Sequence, residues 1–187
     1  MAKIFNVSLR DDLLARIESI RQEAYQLQKM DESLLLTSLS ENKWSVNQCF
    51  EHLFIVQKKY IININKGFEK YSELTASEYF NEGFIGKRFY QQMMPITSTS
   101  KSMKIKTFKS LKPDNLENSI SRFLDELTIL GNMIKKAPNQ NLEKIRVVSL
   151  VGNIMRFKLG DAYRIVIAHN ERHLLQANKT IKNVESA

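Results

Sequence analysis

Apolar residues recur along this chain at alternating steps of four and three, the repeat of one buried helix face. The series Leu13, Ile17, Ile20, Ala24 and Leu27 predicts a first helix over residues 9–29, with Ser8-Leu-Arg-Asp11 as a variant capping box. The series Cys49, Leu53, Val56, Tyr60 and Ile64 predicts a second, from about 45 to 71. There Ser45 can accept from the Gln48 N–H while Gln48 reaches back to the N–H of Ser45. Trp44 stands just ahead of that cap as a hydrophobic staple, with Cys49 its positional candidate. A third series, Leu116, Ile120, Phe123, Leu127, Leu130 and Ile134, begins after a cap at Asp114, with Glu117 three residues on, and stops at Pro138. The fourth helix follows Leu159-Gly160-Asp161 and runs to about residue 182, with 183–187 frayed.

The intervening stretches lack this repeat. Residues 31–43 read as a connection with room for a short helical turn. Residues 72–112 hold Gly83, Gly86, Pro95 and the run Thr97-Ser-Thr-Ser100, and read as a long crossover with some local structure. Such a crossover lets the second and third helices run in the same direction. Residues 144–151 suit a short extended segment, with Gly152-Asn153 as a turn. Four long amphipathic helices predict an all-α four-helix bundle, one domain over residues 1–187.

Composition narrows the class. Hydrophobic content of 43% and charged content of 26% belong to a soluble globular chain. No apolar run nears the ~20 residues that span a bilayer. The start, Met1-Ala-Lys-Ile-Phe, lacks the apolar core of a signal peptide, and a single cysteine, Cys49, forms no internal disulfide. A cytoplasmic location is expected. The net charge of +8 and pI near 9.5 permit an anionic partner. The lysines are scattered over solvated faces without a nucleic-acid-binding motif, so nucleic acid is not the expected partner.

The chemistry lies in the histidines, of which the chain has three. His169 and His173 are four residues apart, one above the other on a face shared with Ala162, Tyr163, Val166, Asn170 and Ala177. His52 lies beside the apolar stripe of the second helix. Two imidazoles from one helix and one from a facing helix make a three-nitrogen metal site. Three separate, hydrogen-bonded histidines at helix interfaces are the alternative, and H-x-x-x-H alone does not decide between them. The order His169-Asn-Glu-Arg-His173 is not that of the metalloproteases. At ~100° per residue, Glu171 points away from His169 and cannot serve as the base of a peptidase. Around the site, Cys49 reads as a small hydrophobe or a soft ligand, and Gln176 as a partner of His173 or an interface amide. Glu51 reads as a solvated residue, and Tyr60 and Tyr163 as core residues with a hydroxyl to offer. No phosphate loop, Ser-His-Asp set or CxxC is present.

Two blocks carry a resemblance: Trp44-Ser45-x-x-Gln48-x-x-x-His52-Leu53, and His169-x-x-Arg172-His173-Leu174-x-Gln176. With these the sequence resembles the DinB-like (DinB/YfiT) family, and the spacing of the blocks extends the match over most of the chain. The resemblance implies a four-helix bundle of up-down-down-up topology, often a homodimer. It implies a divalent metal, commonly zinc or nickel, on His52, His169 and His173. It implies, where activity is known, transfer of low-molecular-weight thiols or thiol-dependent isomerisation. Family branches differ at the position of Gln48, so no catalytic role passes to it.

The expected function is therefore that of a divalent-metal-dependent enzyme acting on a small molecule, as a low-molecular-weight thiol S-transferase or a hydrolase. Lys87, Arg88 and Arg172 are candidates to receive an anionic thiol's carboxylates. The alternative is a non-catalytic metal-binding or stress-related binding protein of the same fold. A nucleic-acid binder, suggested by net charge alone, stands behind both.

Overall fold

The four apolar stripes meet in one core. The computed structural model describes residues 3–41, 43–95, 115–150 and 154–186. In chain order these form β1 (Lys3–Phe5), α1 (Asn6–Gln28), α2 (Glu32–Leu36), α3 (Val46–Lys70), β2 (Tyr79–Asn81), α4 (Phe84–Met93), α5 (Ser119–Lys135), a 3-10 turn (Ala137–Asn139), β3 (Arg146–Val148), β4 (Arg156–Lys158) and α6 (Leu159–Glu185). The long helices α1, α3, α5 and α6 are the four expected from the sequence. Every residue of the α1 and α3 stripes is buried, and so are Ile120, Phe123, Leu127, Leu130 and Ile134 of α5.

Side-chain pairs fix the directions of the helices. Arg16 meets Glu171 and Glu23 meets Asn178, so α1 and α6 run parallel. Glu51 meets Arg122, and farther along a single cleft is lined by Asn65 and Asn132, so α3 and α5 run parallel too. Gln28 with Ser121 and Arg21 with Thr128 make α1 and α5 antiparallel. Trp44 with Thr180 and Gln57 with Asn170 make α3 and α6 antiparallel. This is the up-down-down-up bundle, and the crossover between α3 and α5 is what permits it.

Helix starts differ from the sequence reading in two places. The capping box at Ser8 and Asp11 does not form, because α1 begins earlier, at Asn6. There β1 pairs antiparallel with β2, and the Asn6 N–H donates to the Glu78 carbonyl at 2.9 Å while its side chain donates to Ser77 O at 2.6 Å. Tertiary partners thus replace the local cap. Helix α5 begins at Ser119, leaving Leu116 and Glu117 in a turn ahead of it. Asn115 Oδ1 accepts from the Glu117 N–H at 3.1 Å, a local bond that competes with helix, and Asn118 turns the chain with φ 51°. The expected cap Asp114 lies outside the described residues, as does the Gly152-Asn153 turn. Helix α6 continues past 182 to Glu185.

The box at α3 is as expected, with Ser45 N to Gln48 Oε1 at 2.9 Å and Gln48 N to Ser45 Oγ at 3.3 Å. The extended segment expected near 144–151 is β3, paired antiparallel with β4. The described part of the crossover contributes β2 and α4, which lie against α6. A Cβ on Gly160 would stand 2.7 Å from the Phe80 ring, and one on Gly86 would overlap the Asp161 carboxylate. These approaches explain why the first turns of α6 are buried nearly all round.

Candidate metal centre

The capping box fixes where α3 starts, and with it the face on which His52 emerges toward the antiparallel α6. His169 and His173 meet it from one turn apart on α6. The ring centroids are 5.2 Å apart for His52 and His169, 4.7 Å for His52 and His173, and 4.6 Å for His169 and His173. One nitrogen from each ring can be chosen so that all three lie within 4.8 Å of one another. His52 Nε2 and His169 Nε2 are 3.3 Å apart. That is about the span of two imidazole nitrogens on a tetrahedral ion with bonds near 2.05 Å, and it is also a hydrogen-bond length.

Electrostatics favour the ligand form of the rings. His52 and His169 are 3% and 5% exposed, and His173 is half-buried. Burial holds His169 well below the ordinary histidine range, and His173, His52 and Arg172 push the same way. Burial also takes His173 down to about 3, reinforced by His52 and Arg172 and opposed by its bond to Gln176. Neutral imidazoles are what a metal ion binds. Three convergent histidines, two of them held neutral by burial, therefore fit a divalent ion, and they suit several first-row metals alike.

Surrounding groups orient the rings. His173 Nδ1 lies 3.1 Å from Gln176 Oε1. An amide oxygen only accepts, so His173 donates from Nδ1 and presents the Nε2 lone pair to the cluster. Trp44, expected as a staple toward Cys49, lays its ring over the site. It is stacked on His173 at 5.8 Å between centroids and tilted against His52 at 4.9 Å. Arg172 points outward and donates to the Gln92 carbonyl at the end of α4, at 2.9 Å.

The other candidates fall away from the cluster. Glu171 forms a two-pronged ion pair with Arg16 of α1, both contacts at 2.7 Å, on the far side of α6 as its spacing requires. Cys49 is fully buried, and burial pushes its thiol up to about 12, so it is a small hydrophobe. Tyr163 donates to Gln140 and Tyr60 lies against Ser149, both deep in the core. Glu51 corrects its reading as a solvated residue. It is 1% exposed and meets Arg122 at 2.9 Å, while that guanidinium stacks 4.1 Å from the Phe54 centroid. A carboxylate next to a helix-start arginine was not visible as a pair, because 71 residues separate them. Lys87 is engaged by Glu82 at 3.2 Å, and Arg88 is exposed.

Fold and site together define a class: a helical bundle of up-down-down-up topology with three histidines gathered between two antiparallel helices. Residues 7–177 match the model of the DinB superfamily, and the chain belongs to that superfamily. Among solved structures it is similar to YfiT from Bacillus subtilis, described as "a probable metal-dependent hydrolase with an unusual four-helix bundle topology". That similarity covers 94% of this chain and 87% of YfiT, with a TM-score of 0.53 and 14% identity. It establishes the shared fold. No curated protein matches the chain significantly. No described helix is long and apolar enough to cross a membrane.

Proposed function

We propose that this chain is a divalent-metal-dependent enzyme in which His52, His169 and His173 hold one ion, zinc or nickel, and that it acts on a small molecule as a hydrolase or a low-molecular-weight thiol S-transferase. The observation that carries this reading is the convergence of all three histidines of the chain at one point, with His169 and His173 held in the neutral form. The description of YfiT as a metal-dependent hydrolase of the same topology supports it.

A divalent ion supplies Lewis-acid chemistry, lowering the pKa of a water or thiol so that a nucleophile is available near neutral pH. The chain's own residues prepare the site for it. Gln176 fixes the tautomer and rotation of His173. Trp44 covers His52 and His173 and keeps water from that side. Burial keeps His169 and His173 unprotonated. No carboxylate is part of the cluster among the described residues, so His52, His169 and His173 would hold a divalent ion without compensating its charge.

The second reading is metal held for structure alone, favoured by the deep burial of His52 and His169. Assay separates the two. The protein reconstituted with zinc or nickel is offered activated esters, and separately an electrophile with a panel of low-molecular-weight thiols. Turnover lost on chelation and in His52→Ala supports the enzyme. Tightly held metal that raises stability, with no turnover on either panel, supports the structural reading.

A further inference from the structure

The ring of Trp44, the one tryptophan of the chain, belongs to two places at once. One is the histidine cluster, where it is stacked on His173 and tilted against His52. The other is a cleft of about 490 Å³, lined by Leu39, Trp44, Gln176 and Thr180 among others. A cleft of this size suits a small organic molecule. The indole is a wall shared by cleft and cluster, so a molecule in the cleft lies one side chain away from two of the three imidazoles.

The backbone of Trp44 is pinned on both sides. Its carbonyl accepts from Thr180 Oγ1 of α6 at 3.4 Å, and the next residue, Ser45, is locked into the capping box by its N–H on Gln48 Oε1 at 2.9 Å. The ring itself is half-buried and projects from irregular backbone ahead of α3. Flat contact between rings holds it weakly. The Cα is thus a fixed pivot about which the indole turns on its own side-chain bonds. Gln176, the other wall the two places share, is committed to His173 at 3.1 Å and cannot move without releasing that ring.

We propose that Trp44 is the door between the cleft and the histidines, and so the residue that decides which small molecules reach them. Closed, the indole lies on His52 and His173. Open, it turns off them and joins the cleft to the cluster. As a door for substrate it rests on the proposed function, whereas as a barrier over the histidines it stands without metal. A door of this kind holds an open state at about 0.1–10% of the population, and access is slowed by that fraction.

The experiment treats the full chain, after chelation and dialysis, with diethyl pyrocarbonate and follows the adduct on each histidine by peptide mass spectrometry. Trp44→Ala is expected to speed modification of His52 and His173 about 10-fold or more. Trp44→Phe, whose smaller ring covers less, gives a smaller rise at the same two residues and carries the test if the alanine variant does not fold. Gly160→Ala, which loosens the start of α6 without touching Trp44, leaves both rates within about twofold. Unchanged rates in both Trp44 variants overturn the proposal. So does an equal rise in Gly160→Ala, which would mean that the reagent enters by unfolding. Nickel exchange gives the second readout: a door speeds uptake and release by the same factor and leaves affinity unchanged, whereas faster release with weaker affinity makes Trp44 a prop for the imidazoles and overturns the proposal. A chain that binds no nickel contradicts the proposed function, and the modification rates still decide whether Trp44 is the barrier.

Discussion

Gln176 Oε1 stands 3.1 Å from Nδ1 of His173, one helical turn along α6, and so decides which nitrogen of that ring faces His52 and His169. Removing the acceptor frees the ring to rotate and to change tautomer. Gln176→Leu is expected to weaken metal binding about 10- to 100-fold, while Gln176→Glu, which still accepts, retains it. Competition with a chromophoric chelator measures both.

The histidines make the metal-free protein sensitive to acid. His169 and His173 are neutral in the folded state far below the pH at which they protonate in the unfolded chain, His173 down to about 3. Below pH ~6.5 the unfolded chain therefore binds protons that the folded one refuses, and stability falls as pH falls, by at most about 1.4 kcal/mol per pH unit for each histidine. Asp161 works the other way. Burial raises its carboxyl to about 6, so it adds stability as pH falls from there toward 4. Urea denaturation of metal-free protein at pH 7.5, 6 and 5 should show a net loss. Asp161→Asn should steepen that loss by removing the offset.

Gly160 is required by the Phe80 ring, which a Cβ would approach to 2.7 Å. Gly160→Ala pushes β2 away from α6 and is expected to cost about 1–3 kcal/mol, read as a lower urea midpoint.

The Glu51–Arg122 pair ties α3 to α5 beside His52. Arg122→Met deprives a 1%-exposed carboxylate of its counter-charge and should cost about 3 kcal/mol. Adding Glu51→Gln should restore most of that loss, because the amide carries no charge to bury. Equal destabilisation by the single and double variants would show that packing of the Arg122 stem, not charge, matters there.

What was legible in the sequence follows from locality. The stripes of α1, α3, α5 and α6 repeat within a few residues, and the box of Ser45 and Gln48 closes within one turn, so both could be read directly. The pair His169 and His173 was local as well, and His52 joined it as the remaining histidine. The start of α1 depended on Asn6 meeting Glu78 and Ser77, more than 70 residues away, and no local pattern carries that. Trp44 is another case. Its place before a cap was visible, but its stacking on His173 required α6 to lie antiparallel beside α3. Arg172 was placed among the candidates for anions, yet its anchor at the Gln92 carbonyl emerges only when α4 packs on α6.

Metal content tests the central claim most directly. Protein prepared without a histidine tag, reconstituted and freed of loose ions, is analysed by elemental mass spectrometry beside His52→Ala and His169→Ala. About one zinc or nickel per chain, absent from both variants, is the expected result. A wild-type protein that holds no metal after reconstitution contradicts the account and returns the three histidines to ordinary core packing.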